Sequence, residues 1–97
     1  DGLWVTGCLF RNCTKSTMPG VIDLEPNANA FHLIRNVYIT GNEFEDCGGN
    51  VGTISIYIPL DTIAVPTGIF VMDNISTGTQ QVANAGFFAF RAPYTVT

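Results

Sequence analysis

Asp23 and Glu25, in the segment GVIDLEP (20–26), are the residues of this sequence best placed to do chemistry. Two positions apart on an extended strand, they leave the same face with Cβ atoms roughly 6–7 Å apart. Two carboxylates at such a distance can serve as acid and base in glycosidic bond cleavage, the wider separations suiting inversion. They could also hold calcium, but that ion takes about six to eight oxygen ligands and nothing nearby supplies the remainder. No metal site and no cofactor is expected. The plainer reading of the pair is an outward strand face that carries polar residues. His32 is the only histidine and lies in NANAFHLIRN with Arg35 nearby. The sequence places no nucleophile or metal beside it, so it reads as a loop or structural residue.

Positioning these groups falls to a chain with an unusual balance. Its 97 residues suffice for one domain with a modest core. Charged residues make up 12%, about half of the usual ~25%, which suggests surface covered by further chain or by partner subunits. The chain opens in mid-pattern at Asp1-Gly2, so residues 1–97 read as a single segment of a longer protein. Hydrophobic residues reach 46%, yet no run approaches the ~18 that a membrane span needs. No signal or targeting segment opens it. The net charge is −4, and Arg11, Lys15, Arg35 and Arg91 are scattered, which argues against a nucleic-acid partner. Cys8, Cys13 and Cys47 are odd in number and lack C-x-x-C spacing, so they form neither a disulfide framework nor a zinc site. Synthesis in a reducing, intracellular place fits them. Asn12-Cys13-Thr14 and Asn74-Ile75-Ser76 match the glycosylation acceptor pattern, which also arises by chance.

The main organising signal is a repeat. GLWVTGCLFRNC (2–13), NVYITGNEFEDC (36–47) and GIFVMDNIST (68–77) align with offsets of 34 and then 32 residues. GVIDLEP (20–26), GTISIYIP (52–59) and GFFAFRAP (86–93) follow as second elements, each closing at or near a proline. Alternation within them is strand-like. Short strands at a regular spacing, with no helical segment between, predict a solenoid of about three coils of ~33 residues. Loops are expected at 14–19, 27–35, 60–67 and 77–85.

Equivalent positions then stack ~4.8 Å apart. Leu3/Val37/Ile69 and Val5/Ile39/Val71 face inward, as do Ile22/Ile54/Phe88 and Leu24/Ile56/Phe90. Phe10 sits over Phe44, and Cys13 over Cys47, a thiol pair that adjacent coils could also oxidise to a disulfide. Cys8, Asn42 and Asn74 form a column at a turn. Arg11 pairs with Glu45 at the surface, and Glu43, Glu45 and Asp46 make a solvated cluster. Outward, Asp23 stacks with Ser55 and Ala89, and Glu25 with Tyr57 and Arg91. Asp23 and Glu25 are the candidate catalytic pair, and Ser55, Tyr57 and Arg91 the candidate substrate contacts, in a groove for a sugar chain. Trp4, Tyr38 and Phe70 form an outward aromatic column, either a platform for sugar rings or a surface covered by a loop or a neighbouring subunit.

The pattern NVYITGNEFEDCGG…GTISIY resembles the right-handed parallel β-helix repeat of the pectate-lyase-like superfamily. The apolar-x-apolar-x-Gly-Asn-x-Phe form and the glycine stop carry the resemblance, and GVIDLEPN (20–27) is similar to a segment of bacteriophage tailspike and tail-appendage β-helices. In the third repeat MDNIST departs from the pattern, lacking the Gly-Asn pair and the second aromatic. The resemblance implies an all-β, right-handed parallel β-helix. It further implies a virion protein of the phage tail, assembled in the host cytoplasm and acting outside the cell. Its partner would be a host cell-surface polysaccharide or teichoic-acid-like polymer, bound and conceivably cleaved. Tailspike-type helices associate as parallel homotrimers, which gives Trp4, Tyr38 and Phe70 a partner. Related lyases pair calcium with a basic residue, and neither Arg35 nor Arg91 lies in a matching motif. The alternatives are a structural or adhesive β-helix without catalysis, or a cellular pectin-type lyase or hydrolase.

Overall fold

A computed structural model describes residues 2–15, 17–25, 34–58, 67–78 and 86–91, with Lys15 and Arg91 described by their backbone alone. His32 and most of the expected loops at 27–35, 60–67 and 77–85 lie outside the described residues.

All regular structure among the described residues is β. The strands are β1 (Leu3–Thr6), β2 (Leu9–Arg11), β3 (Thr14–Lys15), β4 (Ile22–Leu24), β5 (Arg35–Thr40), β6 (Glu43–Glu45), β7 (Gly48–Gly49), β8 (Gly52–Tyr57), β9 (Thr67–Met72), β10 (Ile75–Thr77) and β11 (Gly86–Arg91). They form parallel sheets in the orders β1-β5-β9, β2-β6-β10 and β4-β8-β11, with β3 beside β7. The register is the one the repeat predicts. Leu3 pairs with Val37 and Val37 with Ile69, Phe10 with Phe44, and Ile22 with Ile54 and Ile54 with Phe88.

What turns the chain between strands is a set of left-handed residues. Positive φ occurs at Gly2, Asn36 and Gly68, at Gly7, Gly41 and Asp73, and at Asn12, Asp46 and Gly78. These are three columns with the same 34- and 32-residue offsets as the strands. Only Gly, Asn and Asp occupy them, the residue types that enter this region at least cost. Hydrogen bonding between repeats continues through the corners. Gly7 donates its N–H to Thr40 O at 3.3 Å, and Gly41 donates to Met72 O at 3.1 Å.

Among the described residues the buried apolar ones are Ile34, Val37, Ile39, Phe44, Cys47, Ile54, Ile56 and Ile58, all in the middle repeat. Leu3, Val5, Phe10, Ile22, Leu24, Ile69, Val71 and Phe90 pack against them but remain half-exposed. The cause is position in the sheet: middle strands are covered on both sides and outer strands on one. Phe44 stacks on Phe10 at 4.9 Å between centroids and meets Phe87 edge-on at 5.4 Å.

Three expectations need correction. Residues 14–15 are not loop but strand, and Gly48-Gly49, read as a stop, is the strand that pairs with them. Two glycines carry no side-chain signal, so alternation could not reveal that pairing. Arg35, Thr67 and Thr77, placed in loops, belong to β5, β9 and β10. Phe88 keeps its register with Ile54 but is 42% exposed on the outer strand, while Phe87 supplies the contact to Phe44.

Candidate functional site

The strands β4 and β8 bring the predicted site residues to one place. Asp23 stands in register with Ser55, and Tyr57 closes β8 just beyond. Glu25 follows directly after β4. The pairing of these two stretches continues backward along the chain, into positions 18–19, expected as loop. Residues 18–21 are held along residues 50–53 by backbone bonds. Asn50 N–H donates to Met18 O at 2.8 Å, Val51 and Gly52 both donate to Pro19 O at 3.1 Å, and Val21 donates to Thr53 O at 2.8 Å. So close an approach requires glycine at 49, because a Cβ there would fall on Pro19 O and the Gly20 backbone.

The result is a cavity of about 190 Å³ lined by Pro19, Asp23, Glu25, Val51, Ser55 and Tyr57. Its polar residues lie at different depths. Ser55 is 2% exposed and Tyr57 39%. Asp23 is half-buried, with its Oδ1 fully enclosed and without a hydrogen-bond partner among the described residues. An enclosed acceptor with no donor loses its hydration without compensation, at about 1–3 kcal/mol. A ligand hydroxyl or ammonium group would remove that penalty.

Its volume of about 190 Å³ falls below the ~300–1,000 Å³ of typical small-molecule sites and is on the scale of a single ring. Pro19 and Val51 were missed because the repeated elements were read only from Gly20 and Gly52 onward, one position too late. Arg91 ends β11 with its backbone in register with Tyr57, one strand further from Asp23; its side chain lies outside the described residues. No group of three or more metal-ligating side chains occurs among the described residues.

The aromatic column is real but cannot offer every ring to a sugar. Trp4 stacks on Tyr38 at 5.3 Å and Tyr38 on Phe70 at 4.9 Å, each pair within 9° of parallel. Both faces of Tyr38 are thus occupied by its neighbours, and the column presents ring edges outward. In-register strands force this, since their spacing of ~4.8 Å is close to stacking distance.

A second cavity of about 370 Å³ is lined by Phe10, Cys13, Thr14, Met18, Gly20, Val21 and Gly48. Cys13, at its wall, sits beside the buried Cys47. The Cys47 thiol is pushed above its ordinary value by burial, against a backbone hydrogen bond at Cys13 that offsets part of the rise. Cys8, Cys13 and Cys47 are all free. The expected Arg11–Glu45 pair forms at 2.8 Å on the surface.

No protein-family model, curated protein or solved structure matches the chain. No helix among the described residues is long and apolar enough to cross a membrane.

Proposed function

We propose that the chain is a right-handed parallel β-helix of about three coils that presents a carbohydrate-contacting pocket, as part of a phage tailspike or tail-appendage protein. The β-helix reading rests on three parallel sheets whose strands recur in the same order with the same offsets, and on three columns of left-handed corners. A rigid stack of this kind suits a protein that must hold a binding face against a cell surface.

The observation that carries the pocket's role is the enclosed, unpartnered Asp23 Oδ1 in a ring-sized cavity shared with Glu25, Ser55 and Tyr57. Carboxylates and hydroxyls around a small recess match the hydroxyl-rich edge of a sugar, and Tyr57 offers an aromatic surface beside it. Binding is the function these residues support best; cleavage of the bound polymer by Asp23 and Glu25 is the further step to test. The location that goes with this reading is the virion, outside the host cell. Neighbouring copies in a homotrimer would cover the ring edges of Trp4, Tyr38 and Phe70.

The test is binding of the chain to an array of bacterial surface polysaccharides, repeated with Asp23→Asn and Ser55→Val. Binding that both substitutions weaken supports the reading. Binding indifferent to both, or to none of the polymers, overturns it. Measuring the chain length of the bound polymer over time separates cleavage from adhesion.

A further inference from the structure

We infer that the Asp23/Glu25 pocket selects a cationic amino sugar over neutral and anionic ones, a conclusion that rests on the carbohydrate-binding reading above. The argument is one of charge and of donor supply. Among the described side chains lining the cavity two are carboxylates and none is cationic. Arg11 is engaged by Glu45 on a different sheet.

A carboxylate accepts hydrogen bonds and donates none. The ligand must therefore bring the donors, and the enclosed Asp23 Oδ1 needs one most. A uronate or a phosphate brings acceptors and negative charge, which would face two like charges across a recess one ring wide. Like charges at such short range are repelled, the more so where water is excluded. A neutral sugar can satisfy Asp23 with a hydroxyl. An ammonium group does so with a charge-assisted bond, roughly twice as strong as a neutral one.

A metal ion is the other way to satisfy two carboxylates. Calcium would need about six to eight oxygens, and the described residues gather no third carboxylate, histidine or cysteine there. An ammonium group needs only a few acceptors, which Asp23, Glu25 and the hydroxyls of Ser55 and Tyr57 supply. The anionic polymers suggested by the resemblance, teichoic-acid-like or pectin-type, are thus the poorest fit to this pocket.

The experiment is calorimetric titration of the chain with four sets of short oligosaccharides: glucosamine oligomers, their N-acetylated forms, neutral glucose oligomers and uronate oligomers. The pH is chosen so that the amine carries its proton. Glucosamine oligomers should bind about tenfold or more tighter than the N-acetylated ones, and uronates weakest. Asp23→Asn with Glu25→Gln, which keep size and shape, should abolish that preference, weakening the amino sugar far more than the neutral one. Glu43→Gln, remote from the pocket, should leave it unchanged, which separates the site from general attraction to an acidic chain. Equal binding of neutral and amino sugars, or a preference that survives the paired substitution, overturns the inference and leaves the carbohydrate reading standing. Absence of binding by all four sets overturns both.

Discussion

Asn42 and Asn74 are joined side chain to side chain, with Asn42 Nδ2 donating to Asn74 Oδ1 at 3.0 Å. Each also serves the repeat before its own. Asn42 Oδ1 accepts the Cys8 N–H at 2.9 Å while its Nδ2 reaches Val5 O at 2.8 Å. Asn74 does the same one repeat on, accepting the Asn42 N–H at 3.0 Å and donating to Ile39 O at 2.9 Å. The side chains thus stand in for backbone pairing at a corner where the strands break. Asn42 is 1% exposed, so no water replaces what it supplies.

Replacing Asn42 with alanine should therefore be costly. The change strands the Cys8 N–H and takes the side-chain donor from the Val5 carbonyl and from Asn74 Oδ1, which keeps only the backbone N–H of residue 42, and roughly 3 kcal/mol of stability should be lost. Asn74→Ala, at a half-buried position in an outer repeat, should cost less. Urea unfolding of both variants checks the order. A loss at Asn42 no larger than that of a surface substitution would show that the ladder contributes little.

The corners and the close approaches make separate demands on glycine, and two substitutions tell them apart. Gly41 has φ of 65°, and an added Cβ would meet nothing within 4 Å. Gly41→Ala should therefore show the left-handed penalty alone, about 1–2 kcal/mol. At Gly49 the added Cβ collides with Pro19 O and the Gly20 backbone. Gly49→Ala should cost more than Gly41→Ala and should disturb the Asp23 pocket, because it pushes away the segment that carries Pro19. Sugar binding measured on both variants should fall only for Gly49→Ala.

These two glycines also show what a single sequence reveals of such a molecule. Val37 and Ile39 announce their strand because alternation repeats with the strands above and below, and Asn42 announces its column by the same offset. The left-handed corners were equally open to reading, since all nine positions hold Gly, Asn or Asp, but they show only when aligned as columns. Asp73 in the place of Gly41 is an example: the third repeat lacks Gly-Asn, yet keeps both the turn and the ladder. Gly48-Gly49 stayed hidden because its role depends on lacking side chains. The pocket was legible in part. Period two placed Asp23, Glu25, Ser55 and Tyr57 on one face, but Pro19 and Val51 lie one position before Gly20 and Gly52, where the aligned elements begin.

The proposed trimer makes a prediction about Trp4. It is 62% exposed, with Phe70 at 40% and Met72 at 48% on the same sheet face. If copies of the chain meet there, light scattering should give three times the chain mass at high concentration. Tryptophan emission should shift to the blue as the chain is concentrated, since Trp4 is the sole tryptophan. Trp4→Asp should keep the chain monomeric and leave sugar binding unchanged, the pocket being on a different sheet. A monomer at all concentrations would remove the trimer from the proposal.

Burial of Cys47 makes stability depend on pH in a defined direction. Desolvation raises the thiol above its ordinary value of 9.0, and a backbone hydrogen bond at Cys13 offsets only part of that rise. Below that value both the folded and the unfolded chain keep the proton, and the thiol contributes no slope. Above it the unfolded chain loses the proton while the folded chain holds it. The folded state then binds more protons than the unfolded one, so stability falls as pH rises, until the folded thiol also ionises. Unfolding under reducing conditions from about pH 8 to about pH 10.5 should show a steeper decline for the native sequence than for Cys47→Ala. Other titrating groups act in both proteins, so the difference between the two slopes isolates the thiol. If the two slopes coincide, burial of Cys47 is not the source of the decline.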